Sequence, residues 1–128
     1  MNGLLLDSHV FLWLLYAPDK IGAKAKIALR DADSVYVSVV SLWELTLKFD
    51  KGKLAYPPAE LIKGVDALNA TLLPLQPAHL LELPKIKLTH QDPFDRLLLA
   101  QSKIEKLDLL TADTLLLKSA YTTQDVRQ

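Results

Sequence analysis

Cysteine is absent from this 128-residue chain, so disulfides and thiolate metal sites are excluded. Also missing is any apolar run near the roughly eighteen residues that a membrane span needs. The first residues lack the basic leader and small-residue cleavage site of a secretory signal, so a cytoplasmic location is expected. Neither sign of charge is in excess: Lys plus Arg and Asp plus Glu number 15 each. Proteins that grip nucleic acid through phosphate contacts alone are usually basic, and neutrality argues against such passive binding. It leaves room for a site in which clustered acids hold cations while nearby Lys and Arg hold phosphates.

What is present points to a folded chain. Half of the residues are hydrophobic and 23% are charged, and the length suits one domain over 1–128. Residues 3–7 read as a buried strand, because Leu4, Leu5 and Leu6 run without alternation, as strands covered on both faces do. A helix over 8–16 is apolar nearly all round and needs cover on more than one side. After a turn at Pro18, Asp19 and Gly22, a more polar helix spans 23–32. A strand is expected at 35–38, then a helix from about Ser41 (or Ser38) to Lys51, with Gly52 as its stop. Pro57 and Pro58 open another helix, and 71–75 reads as a strand. A short helix runs from Pro77 to Leu83, where Pro84 ends it. The Asp92-Pro93 pair starts a helix reaching about Lys106, with Asp92 as N-cap and Pro93 at its first position. A strand at 108–111 and a short helix at 114–118 follow. The tail is polar and carries only a weak edge-strand signal near 121–123. Strands alternating with helices indicate an α/β domain with a mostly parallel sheet of four or five strands. Ligands of such sheets bind beyond the carboxyl ends of the strands.

Four carboxylates fall where that rule puts a site. Asp7 closes the first strand, Glu44 lies in the helix after the second, Asp95 begins the helix at Pro93, and Asp113 follows the fourth strand by two residues. Each has a purely structural alternative. Asp7 and Asp113 suit N-caps, and Ser41-Leu42-Trp43-Glu44 fits a capping box. Together, several carboxylates at one sheet edge repel one another unless a cation neutralises them. An all-oxygen set without Cys or a His cluster favours Mg2+ or Mn2+, which suits hydrolysis of a phosphate ester.

Four segments, in order, carry a family resemblance. They are Leu4-Leu5-Leu6-Asp7-Ser8-His9-Val10-Phe11-Leu12-Trp13, Val35-Tyr36-Val37-Ser38-Val39-Val40-Ser41-Leu42-Trp43-Glu44, the stretch from His90 to Gln101, and Leu110-Thr111-Ala112-Asp113. With these the chain closely resembles PIN-domain ribonucleases, specifically the VapC-like toxins of bacterial toxin–antitoxin pairs. The run Asp92 to Arg96 is the most specific part. The resemblance implies a PIN-like three-layer α/β/α fold. It also implies an endoribonuclease in which Asp7, Glu44, Asp95 and Asp113 form a catalytic pocket for Mg2+ or Mn2+. Ser8 and Thr111 match supporting hydroxyl residues that hydrogen-bond carboxylates or water. The substrate implied is RNA, cut to leave a 5′-phosphate and a 3′-hydroxyl. The partners implied are a cognate antitoxin, laid as an amphipathic segment into a groove, and a second copy in a homodimer. The departure is the tail, since relatives often end on an apolar strand and 122–128 is polar.

Several residues keep two readings. Arg96 is a candidate contact to RNA phosphate or an ion-pair partner of the acids. His9 and His90 lie near the acids in sequence, but a surface or hydrogen-bonded role is the simpler account of each. Lys48, Lys51 and Lys53 read first as a solvated helix end and second as an RNA-contact patch. Trp13 and the leucines around it read first as core and second as a face turned to a partner. The rival function is a PIN-like protein-interaction module without catalysis. A phosphorylation receiver is excluded, because it needs an acceptor aspartate ending a central strand and Asp50 sits at a helix end.

Overall fold

Five strands, β1 (Gly3–Leu6), β2 (Ser34–Ser38), β3 (Thr71–Leu73), β4 (Asp108–Thr111) and β5 (Thr123–Asp125), form one sheet in the order β3-β2-β1-β4-β5. The structure is a computed structural model that describes residues 3–88 and 92–128. Every pairing is parallel, with Leu5 of β1 opposite Tyr36 of β2 and Leu109 of β4. The helices are α1 (Ser8–Tyr16), α2 (Ala23–Asp31), α3 (Val39–Asp50), α4 (Pro58–Ala67), α5 (Pro77–Glu82), α6 (Pro93–Glu105) and α7 (Thr114–Leu117). Among the described residues, none is long and apolar enough to cross a membrane.

The leucine runs are explained by burial on both faces. Leu6, Val37 and Leu110 join one core with Val10, Phe11 and Leu61. Leu5 and Leu109 point into a second core with Leu98, Leu99 and Leu116. Helix α3 serves both, giving Leu42 and Leu45 to the first and Val40 to the second. The result is the expected α/β architecture, with helices on each side of a parallel sheet.

Two strands depart by two residues from their expected bounds. β3 stops at Leu73 rather than 75, because Pro74 has no amide to continue a ladder. The tail strand forms, but at Thr123–Asp125 rather than 121–123. Its side chains are polar because it is an edge. It is fixed by Gln124 Nε2 donating to Asp108 Oδ2 at 2.9 Å and by fully buried Val126 just beyond it.

Strand order reverses between β1 and β4, since β2 and β3 lie on one side of β1 and β4 and β5 on the other. The crevice beyond that reversal is where open α/β sheets bind ligands. Two helices facing it, α3 and α6, are tied by a buried polar chain. Ser38, the N-cap of α3, accepts from the Val40 amide and donates to Gln101 Oε1 on α6 at 2.5 Å. Gln101 Nε2 reaches the Pro74 carbonyl and His79 Nδ1, each at 3.3 Å. Because His79 Nδ1 accepts from the Gln76 amide, its Nε2 carries the proton donated to Glu105 at 2.8 Å. A buried network of this kind sets geometry, because each member left unmatched costs about 1–3 kcal/mol.

The amide of Gln101 is therefore expected to be irreplaceable by a carboxylate. At about pH 8, Gln101→Glu faces the Pro74 carbonyl and His79 Nδ1 with acceptors only. Its melting temperature should fall further than that of Gln101→Met, whose own loss is about 1–3 kcal/mol. Equal melting temperatures for the two variants would show that the network does not constrain the helices.

Candidate active site

Asp7 follows β1 and begins α1, where its Oδ1 accepts from the Val10 amide at 2.9 Å. Its Oδ2 accepts a short hydrogen bond from the Thr111 hydroxyl at the end of β4. Thr111 Oγ1 in turn accepts from the Asp113 amide at 3.0 Å, so one buried hydroxyl links the first acid to the last. Asp113 caps α7 through Oδ1, which takes the Leu115 and Leu116 amides at 2.8 and 3.2 Å. Both aspartates thus have the cap geometry of their structural reading while standing at the same strand ends.

Glu44 is not part of a capping box. α3 begins at Val39 with Ser38 as its cap, so Ser41 already lies inside the helix. Ser41 Oγ is buried and makes no hydrogen bond among the described residues. Glu44 Oε1 instead accepts from Ser8 Oγ at 2.6 Å, and Oε2 lies 3.6 Å from Lys48 Nζ. Asp92 caps α6 with Pro93 in its first turn, accepting from the Phe94 and Asp95 amides at 2.9 and 3.3 Å.

These residues border one small cleft of about 150 Å³, lined by Asp7, Ser8, His9, Glu44, Lys48, Asp92, Asp95 and Asp113. All four acids singled out in the sequence are in it, and Ser8 and Thr111 each hydrogen-bond one of them. Asp92 adds a wall position to its cap role, and the exposed His9 stands at the rim. Arg96 does not line the cleft. Its Nη2 donates to the Leu83 carbonyl at 3.0 Å, which ties the start of α6 to the turn after α5. His90 lies outside the described residues. A larger cleft of about 500 Å³ beside Lys103, Lys106 and Asp108 sits at the start of β4, away from the acids. Size therefore does not locate the site; the chemistry does.

The electrostatics follow from crowding. Burial pushes the Asp7 carboxyl up, against the Thr111 and Val10 hydrogen bonds and the charge of His9. For half-buried Asp95, burial and then the charges of Asp92, Asp113, Glu44 and Asp7 push the carboxyl up to about 7. As the side chains lie, no group of three or more His, Asp or Glu among the described residues is arranged to hold a metal ion.

The Asp95 shift fixes the sign of a pH effect. Between its ordinary value of 3.8 and about 7, the folded chain keeps a proton that the unfolded chain has released. Stability conferred by this group is full below 3.8 and is lost as pH rises through about 7. Without divalent cations, Asp95→Asn should therefore stabilise the fold at about pH 8 by about 1–2 kcal/mol after solvent screening, read as a higher melting temperature. Near pH 3 it should change little. Parallel melting-versus-pH curves for the two proteins would contradict this account.

Comparisons with known proteins agree with this arrangement of strands. The PIN domain family model matches residues 4–120. Among solved structures, the fold is similar to VapBC2 from Rickettsia felis bound to a DNA fragment from its promoter, with TM-score 0.71 and 11% identity over 95% of this chain and 97% of that one. It is also similar to a toxin–antitoxin complex from Klebsiella pneumoniae, with TM-score 0.62 and 16% identity over 95% and 96% of the two chains. VapBC-5 from Mycobacterium tuberculosis, a member of a toxin–antitoxin family, aligns over 100% of both chains with TM-score 0.61 and 18% identity. Comparison with curated proteins finds no match. A family match spanning nearly the whole chain, on an all-parallel sheet with the acids at its carboxyl edge, shows that this chain belongs to the PIN domain family.

Proposed function

We propose that this chain is a single-domain, Mg2+- or Mn2+-dependent endoribonuclease, and that it is the toxin of a toxin–antitoxin pair. The observation that carries the reading is the gathering of Asp7, Glu44, Asp95 and Asp113 around one cleft at the carboxyl edge of a PIN-domain sheet. The donor set consists of carboxylate oxygens with hydroxyls behind them, which fits a hard divalent cation. When bound, the ion supplies charge compensation at the phosphoryl group and an activated water.

The chain's own residues do the positioning. Thr111 and the Val10 amide fix both oxygens of Asp7, so this carboxylate is presented in one orientation. Ser8 holds Oε1 of Glu44, and Lys48 offsets part of its charge. Asp95, with its carboxyl near 7, gives up a proton when the site takes on its full charge. The antitoxin and a homodimer are proposed as partners. Support for the antitoxin comes from the similar folds in toxin–antitoxin complexes.

One observation favours the rival reading of a PIN-like interaction module without catalysis. Asp7 and Glu44 are already occupied by hydroxyl and ammonium partners, and among the described residues no three acids stand ready for an ion. Two measurements separate the readings. Purified protein is expected to cleave structured RNA only with Mg2+ or Mn2+, while Asp7→Asn and Asp95→Asn lose at least about a hundredfold in rate, as losing a principal charge-stabilising group does. Equal residual activity in all three proteins would assign the cleavage to a contaminant. Absence of Mn2+ binding by calorimetry at near-neutral pH would move the interaction module ahead.

A further inference from the structure

The acidic cleft is the middle of a longer depression. On one side it shares Glu44, Lys48 and Asp92 with a groove of about 410 Å³ that continues past Lys51, Lys53 and Phe94. On the other it shares Asp7, His9 and Asp113 with a cleft of about 300 Å³ reaching Trp13. We propose that this trench takes a single strand of RNA through the acids, with Lys51 and Lys53 holding backbone phosphates and the Trp43–Phe94 pair stacking a base. The proposal rests on the ribonuclease reading and adds to it the subsite and the strand's path.

Local structure puts the lysines there. α3 ends in a Schellman motif: the Gly52 amide donates to the Phe49 carbonyl at 3.0 Å and the Lys53 amide to the Lys48 carbonyl at 2.8 Å. Gly52 takes φ +74°, which turns the chain back so that Lys51 and Lys53, on either side of it, line the same groove. Lys48 is engaged by Glu44, but Lys51 and Lys53 are exposed and form no ion pair among the described residues. The groove's own acids, Glu44 and Asp92, both lie on the wall shared with the cleft. Positive charge therefore lies farther from the acids and negative charge close to them. That polarity suits an anionic backbone arriving at a cation site.

The aromatic element is equally local. Trp43 is 52% exposed, unusual for a tryptophan beside a core, and its ring meets Phe94 edge-on at 4.9 Å. Phe94 lines the groove next to Pro93. Exposed aromatic faces beside lysines form the usual platform for unpaired bases, whereas duplex bases are already stacked on each other. The simpler role for lysines at a helix end, compensating its dipole, needs neither a shared groove nor the aromatic pair.

The test uses the full chain carrying Asp95→Asn, in magnesium, so that binding is read without cleavage. A short single-stranded RNA of mixed sequence should bind, quench tryptophan fluorescence, and outcompete the same sequence as a duplex. Adding Lys51→Ala with Lys53→Ala should reduce the salt slope of log affinity by about 1.4, since each single-strand phosphate contact contributes about 0.7. Lys51→Arg with Lys53→Arg should restore it. Trp43→Ala should weaken binding about tenfold, remove the share of the quenching that Trp43 contributes beside any from Trp13, and leave the salt slope unchanged. An unchanged slope in the double alanine variant, or equal affinity for duplex, would overturn the proposal. So would preference for a polyglutamate peptide, which would give the groove to an acidic protein segment. If the unmodified chain lacks cleavage yet these binding results hold, the ribonuclease reading fails and the groove stands.

Discussion

Carboxylates that share a poorly solvated crevice repel one another, and the carboxyl edge of this sheet is built around that repulsion. Asp7, Glu44, Asp92, Asp95 and Asp113 all border one cleft of about 150 Å³. Asp7, Glu44, Asp92 and Asp113 are each held there by a bond that the backbone or a neighbouring hydroxyl supplies, and Asp95 registers the crowding as a carboxyl pushed up to about 7. A fold seeking stability alone would place these acids in water. Here the cores on both faces of the sheet hold the helices that carry them, so burial elsewhere offsets the local cost.

Three of the acids reduce that cost by capping helices. Asp7, Asp92 and Asp113 stand at the N-termini of α1, α6 and α7, where unpaired amides and the positive end of the helix dipole favour negative charge. A place in a helix cap and a place at the crevice are therefore not competing descriptions of these residues. Asp7 uses one oxygen on an amide and the other on Thr111, so the bonds that begin a helix also orient a carboxylate toward the crevice. Glu44 and Asp95 cap nothing; Glu44 is held by Ser8, and both depend on how α3 and α6 are spaced.

Much of this was legible in the sequence because the signals are local. Buried leucine runs, Asp92 before Pro93, and Gly52 after Lys51 each act within a few residues, and the corresponding elements form where those signals lie. The start of α3 was less clear, because Ser38 and Ser41 both offer a cap and only the strand's end at Ser38 decides between them. What was not legible depends on partners far along the chain. Strand β5 is polar in composition and exists through its pairing with β4 and the burial of Val126. His79 gave no periodic or motif signal, yet it is fully buried and joined to Gln101 and Glu105. The one available hint was Gln101 itself, an amide at an apolar position of α6 where a leucine would otherwise pack. Arg96 sits in the most specific run of the sequence, but its guanidinium turns to the Leu83 carbonyl.

Overall neutrality takes on a different meaning once the charges are placed. Fifteen basic and fifteen acidic residues argue against a uniformly attractive surface for nucleic acid. They do not argue against separation of the two signs over a short distance. Along the trench, acids concentrate where the strands end and lysines where α3 ends, with Lys48 paired to Glu44 at the boundary. Screening confines each region's field to about 8 Å at physiological salt, so a ligand feels the local sign and not the total. A chain with no net charge can thus hold a cation and a polyanion side by side, provided that its fold keeps the two sets of charges adjacent and distinct. The Ser38–Gln101 bond sets the start of α3 against α6, and the Schellman turn at Gly52 sets where the lysines stand at its end.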